Sequence, residues 1–127
     1  MPNHPTRDDA LALLHEYTKS DSLRRHALGV EQAMLKMAGK YGGDLNEWGI
    51  AGLLHDFDYE MYPTMEEHPY KGNEILKDKG YPESICKAIM GHATYTDIPR
   101  DTDMAKALFS VDELTGFIFA VTYVRPS

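Results

Sequence analysis

The stretch 44-DLNEWGIAGLLHDFDYEMYP-63 decides the fold. After Glu47 it runs through Trp48, Ile50, Ala51, Leu53 and Leu54 without a charged residue until it reaches His55-Asp56. A helix that is apolar nearly all round cannot face water, so this one is expected at the centre of the molecule. Asp44 to Asn46 supplies its start. It is expected to end at His55-Asp56, because residues 57 to 67 lose clean periodicity and contain Pro63. Two chemically versatile side chains therefore stand at the tip of the most apolar helix.

Helical periodicity continues on both sides of that stretch. Thr6 and Asp9 have the spacing of a capping box, and Leu11, Leu14 and Tyr17 give a first helix its apolar face. Ser20 or Asp21 starts a second helix. There Leu23, Ala27, Val30, Ala33 or Met34, and Met37 recur at steps of three and four until Gly42-Gly43 stops it. Beyond the central helix, residues 57 to 67 read as a loop with room for one turn. Pro69 suits the first position of a fourth helix that Gly80 ends, and Pro82 likewise opens a fifth reaching about His92 or Ala93. Thr94 to Pro99 reads as a loop. Asp101 or Thr102 caps a last long helix toward Val124, and Pro126 forbids its continuation. No segment alternates as a strand does, so the expected fold class is all-α, a compact bundle of about six helices.

The composition narrows the function. The chain has 127 residues, enough for one domain with a real core and no disulfide or structural metal. With 43% hydrophobic and 26% charged residues it has an ordinary globular balance. A net charge of −7 disfavours a nucleic-acid polymer as partner, and the longest basic run is Arg24-Arg25. Cys86 is the single cysteine; it is expected as a small apolar core residue, and a reducing cytoplasm as the compartment. Residues 1 to 10 are polar, with two prolines, and lack the pattern of a signal peptide. Residues 105 to 124 are apolar, but Lys106, Asp112 and Glu113 interrupt them, and a charge at a bilayer centre costs ~3 kcal/mol. A buried core helix is expected there, with no membrane partner. Nothing in the sequence fixes an oligomeric state.

In chain order the residues that carry chemistry are His26, His55-Asp56, His68, His92 and Asp112. Four imidazoles and two carboxylates from separate segments can surround one or two metal ions. Without cysteine thiolates such a set suits an enzyme centre better than a structural zinc knot. Each residue alone has an ordinary explanation: a helix-face histidine, a helix end, a loop residue before proline, a C-terminal dipole partner, a carboxylate turned outward. One shared site accounts for all six together. Asp112 weighs most after the pair, because it sits among Leu108 and Val111 in an apolar helix, where a carboxylate is costly unless paired or metal-bound. His4 and His15 lie outside this pattern and are not expected to be ligands. Imidazole mixed with carboxylate suits Mn, Fe, Ni, Co or Zn better than Mg.

These residues lie in "LRRHALGVEQAM" around His26, "GLLHDFDYEMYP" around the pair, "EEHPYKGNEIL" around His68, "AIMGHATYT" around His92 and "LFSVDELTGFIFAVTYVRP" around Asp112. The chain thereby resembles the HD superfamily of metal-dependent phosphohydrolases, and in particular a group of small bacterial and archaeal HD proteins usually described as predicted hydrolases. The resemblance implies a single HD domain over 1–127, lacking a lysine-rich C-terminal extension that relatives carry after the "VRP" segment. It implies that His26, His55, Asp56 and Asp112 hold a first divalent metal. His68 and His92 would hold a second, with Asp56 bridging. It implies hydrolysis of a small phosphoester, a nucleotide among the candidates, by a metal-activated hydroxide. Two metals ~3.5–4 Å apart suit an in-line displacement at phosphorus. Asp56 and Asp58 are the candidate catalytic carboxylates. Asp58 and Glu60, just beyond the pair, are candidates to orient a ligand histidine or manage a proton. Lys71, Arg25, Arg100 and Arg125 are the candidate phosphate-binding cations. Two other readings stay open: a di-iron oxygenase of the myo-inositol oxygenase type, which uses the same residue order, and a non-catalytic metal- or nucleotide-binding module.

Overall fold

The computed structural model describes residues 5–124, with side chains described as far as residue 114. Six helices follow one another: α1 (Arg7–Tyr17), α2 (Asp21–Tyr41), α3 (Leu45–Leu54), α4 (Tyr70–Asp78), α5 (Glu83–Gly91) and α6 (Asp103–Val124). A short 3-10 turn, Thr94–Thr96, lies between α5 and α6 in the segment expected to be loop. Among the described residues there is no strand, and the protein is all-helical as its periodicity requires.

The helix ends follow local chemistry. Thr6 caps α1 through a complete capping box with Asp9. Ser20 and Asp44 accept from backbone N–H groups in the first turns of α2 and α3. Gly42, at φ 73°, closes α2 in the left-handed conformation that favours glycine. Thr102 accepts from the Ala105 amide and opens α6. Pro69 and Pro82 stand one position earlier than expected, as the residues that precede α4 and α5 rather than their first turns.

Helix α3 is the axis of the molecule. Every residue from Trp48 to Leu54 is buried, and the helix packs against α1, α2, α5 and α6. Its closest neighbour is α2, and Gly52 is what permits the approach. A methyl group there would lie 2.9 Å from the Val30 carbonyl oxygen and 2.9 Å from Met34 Cγ. The core around α3 is built from Leu13 and Leu14 of α1, Val30 and Met34 of α2, Ile85 and Ile89 of α5, and Leu108 of α6. Cys86 is buried among them. Glu31, also buried, receives two N–H groups of Arg7 at 2.8 and 3.0 Å, so a charged pair ties α1 to α2. Among the described residues, no helix is long and apolar enough to cross a membrane.

Candidate metal centre

Phe57, the residue after the His-Asp pair, decides the shape of the corner. Its ring is buried and meets Tyr17 edge-on at 5.4 Å, while its carbonyl accepts the Thr18 hydroxyl at 2.9 Å. Both contacts hold the end of α3 against the α1–α2 junction. The backbone then tightens: the Tyr59 amide donates to the Asp56 carbonyl at 3.0 Å, and the Tyr62 amide to the Asp58 carbonyl at 2.8 Å. The chain leaves the helix at His55, and adjacent residues 55 and 56 face one centre.

There the helices converge. His55 Nε2 lies 3.2 Å from His26 Nε2 of α2, 3.1 Å from Asp112 Oδ1 of α6 and 3.3 Å from Asp56 Oδ2. His26 Nε2 lies 3.3 Å from Asp112 Oδ1 and 4.0 Å from Asp56 Oδ2. On its other oxygen Asp56 meets a second pair, with His68 Nε2 at 3.2 Å and His92 Nε2 at 3.1 Å from Oδ1. Two donor groups result, His26–His55–Asp56–Asp112 and Asp56–His68–His92. In each, the donor atoms lie within 4.8 Å of one another, and Asp56 belongs to both.

The hydrogen bonds behind the imidazoles set what these groups can hold. His55 Nδ1 faces the Gly52 carbonyl oxygen at 2.7 Å, and His92 Nδ1 faces the Ile89 carbonyl oxygen. His68 Nδ1 faces Asp58 Oδ1 at 2.6 Å. Carbonyl and carboxylate oxygens accept only, so all three Nδ1 atoms carry hydrogen. In the neutral rings each Nε2 then offers a lone pair to the centre, toward carboxylate oxygens and other nitrogens. Lone pairs aimed at carboxylates repel unless a cation lies between them. Imidazole oriented through its far nitrogen by a carbonyl or carboxylate is the usual arrangement of a metal-binding histidine. The donor set fits one or two divalent ions, with mixed nitrogen and oxygen ligands.

The sequence profile of the HD domain matches residues 23–116. The chain belongs to the HD-domain family. That segment runs from the first turn of α2 into α6 and includes all six converging residues of this HD domain. A protein of Staphylococcus aureus (strain NCTC 8325 / PS 47) named symmetrical bis(5′-nucleosyl)-tetraphosphatase is 34% identical over 74 residues. The aligned part covers 53% of this chain and 38% of that protein, so the match spans well under half of the relative. No solved structure matches the chain.

Protons stand in for metal charge when only protein groups are present. Burial opposes a charge on His55, but Asp56 and Asp112 override it and hold the imidazole well above its ordinary pKa. Burial also opposes the charge of His68, yet hydrogen bonds to Asp56 and Asp58 raise it to about 9. For Asp56, burial pulls upward and the imidazoles of His55, His68 and His92 pull it well below the carboxylate range. Asp112 is lowered in the same way by His26 and His55, against its own burial.

The remaining candidates fall into different places. Asp58 is buried, with Oδ1 on His68 and Oδ2 accepting the Gly72 amide at 2.9 Å. It lies behind the His68 imidazole rather than among the converging donor atoms. Gly72 is the glycine that makes room for it, since a methyl group there would come within 2.8 Å of the Asp58 carboxylate. Glu60 takes a role the sequence did not suggest. Its two oxygens accept the Lys19 and Ser20 amides at 2.9 and 2.8 Å, fastening the loop to the start of α2.

Among the cations, Arg25, next to His26, and Lys71, in the first turn of α4, are both exposed. Arg100 donates Nη1–H to the Gly91 carbonyl at 2.7 Å and lies 4.0 Å over the Phe109 ring, so its guanidinium links the end of α5 to α6. Arg125 lies outside the described residues. His15 is exposed on α1 and belongs to neither donor group, and His4 lies outside the described residues.

Proposed function

We propose that this HD domain is a metal-dependent phosphohydrolase acting on a small phosphoester, with nucleotides as the favoured class. The observation that carries the reading is the split of Asp56, one oxygen toward His26 and His55 and the other toward His68 and His92. A carboxylate so placed suits a bridge between two divalent ions, and a pair of ions is the arrangement that serves both attacking and leaving oxygens at phosphorus. Ions bound there supply Lewis acidity and lower the pKa of water. His26, His55, Asp56 and Asp112 are proposed to hold the first, and His68, His92 and Asp56 the second.

The chain's own residues do the rest. The carbonyls of Gly52 and Ile89 and the Asp58 carboxylate fix the tautomers that keep three Nε2 atoms available. Asp58 is thus a positioning residue, with the Gly72 amide holding its second oxygen. Lys71 and Arg25 are the exposed cations proposed to meet substrate phosphate. Nucleotides are favoured because the partly matching relative is named for a nucleotide substrate.

The test is phosphate release from a panel of nucleotides and sugar phosphates, with Mn, Ni or Co added after chelator treatment. Release that depends on metal and disappears in Asp56→Ala supports the reading. Iron with oxygen uptake and no phosphate release would favour a di-iron oxygenase. A full metal complement with no turnover of any kind would favour a binding module.

A further inference from the structure

Three tyrosines rise from separate segments around His68. Tyr59 comes from the loop after α3, Tyr70 opens α4, and Tyr95 belongs to the turn between α5 and α6. All three are exposed, at 44%, 38% and 38%, beside the buried His55, His68 and His92. Tyr59 meets the His68 imidazole edge-on, with ring centroids 5.5 Å apart and planes at 81°. Tyr95 donates its hydroxyl to the His68 carbonyl, which fixes the direction of its ring. Tyr70 follows His68 by two residues, as the first residue of α4. His68 in turn lies with its Nε2 3.2 Å from Asp56 Oδ1.

Resting on the phosphohydrolase reading above, we propose that Tyr59, Tyr70 and Tyr95 form an aromatic platform for the base of a nucleotide whose phosphate sits at Asp56. The domain then selects nucleoside phosphates over sugar phosphates that lack a base. Tyrosine faces stack on any flat π-system and lose little conformational entropy in doing so. One ring already held by its hydroxyl is prepared for that contact. A protein of net charge −7 repels a long polyanion, whereas the charge of a small phosphoester is met at the metal centre itself.

Binding tests this apart from turnover. Phenylphosphonate and cyclohexylphosphonate carry the same non-hydrolysable head and the same number of carbons, one flat and one puckered. Calorimetric titration of the Mn-loaded protein is expected to show the flat ligand bound about fivefold tighter. The gap is expected to close in the Tyr59→Leu, Tyr95→Leu double variant and to persist in Tyr95→Phe, which keeps the ring. In the second arm, adenosine 5′-monophosphate is expected to exceed ribose 5-phosphate about tenfold in kcat/KM, mainly through KM. Equal affinity for the two phosphonates, or a gap that survives the double variant, overturns the platform. A flat-ligand gap with no preference for the nucleotide overturns its assignment to a base. A gap present in a protein that releases no phosphate supports the platform and counts against the hydrolase reading alone.

Discussion

Replacing Asp58 by asparagine removes one acceptor and almost no volume, and its consequences follow from two hydrogen bonds. The native carboxylate takes the His68 Nδ1–H at 2.6 Å and the Gly72 amide at 2.9 Å. A side-chain amide has one acceptor oxygen and one donor nitrogen. With its oxygen on His68, the NH2 group faces the Gly72 N–H, and two buried donors oppose each other at a cost of about 1–3 kcal/mol. With its oxygen on Gly72, the NH2 group faces His68 Nδ1, and the imidazole escapes by moving its hydrogen to Nε2. The second arrangement satisfies every group and is the one expected. Its price is functional: an N–H now points at Asp56 Oδ1, 3.2 Å away, where a lone pair belongs. Metal affinity at the Asp56–His68–His92 group is expected to fall about 10–100-fold, which is about 1.4–2.7 kcal/mol. The His26–His55–Asp56–Asp112 group does not use His68 and keeps its affinity. Titrating chelator-treated protein with Mn or Co by calorimetry reads both sites at once, and circular dichroism checks that the helices persist. Two unweakened sites, or equal weakening of both, would refute the reasoning.

Other consequences can be measured with the same protein. Asp56→Ala removes the carboxylate common to both groups and is expected to abolish metal binding at both, together with phosphate release; a variant that retains two ions per chain contradicts the bridging role. Gly52→Ala forces a methyl group against the Val30 carbonyl and Met34, so thermal unfolding is expected to report a loss of about 1–3 kcal/mol. Because His26 lies on α2 and His55 on α3, that variant should weaken the first metal more than the second. In chelated protein, His68 binds its proton more tightly folded than unfolded, with its pKa raised from 6.5 to about 9. The resulting stability is fully present below pH 6.5, erodes as pH rises, and is gone above about 9. It amounts to about 3 kcal/mol at 1.36 kcal/mol per unit. Denaturant melts at pH 6 and pH 9.5 check the sign: stability that rises with pH in the chelated protein contradicts it.

What the sequence revealed and what it concealed divide along physical lines. The all-round apolarity of Trp48 to Leu54 was enough to put α3 at the centre, because no other location satisfies such a helix. Caps such as Thr6, Ser20 and Gly42 were legible because their chemistry is local. The convergence of His26, His55, Asp56, His68, His92 and Asp112 was legible as an expectation, since a carboxylate among Leu108 and Val111 needs a partner from elsewhere.

Features that depend on side-chain direction were not legible. Asp58 and Glu60 are two residues apart in one acidic loop, yet one turns inward to His68 and the other outward to the start of α2. That difference is set by Phe57 entering the core and by the Gly72 gap, both of them tertiary facts. The salt link of Arg7 to buried Glu31 likewise joins residues 24 apart with no local signature. Arg100 was a plausible phosphate ligand by charge, and only the fold shows its guanidinium against Phe109 and the Gly91 carbonyl.

The central claim is that the converging nitrogens and oxygens are ligands of metal ions. The most direct measurement is anomalous scattering at the manganese edge from crystals grown with Mn. The account predicts two peaks flanking Asp56, one within bonding distance of His26, His55 and Asp112, the other of His68 and His92. Manganese found only at surface carboxylates, with neither histidine group occupied at saturating concentration, would contradict it.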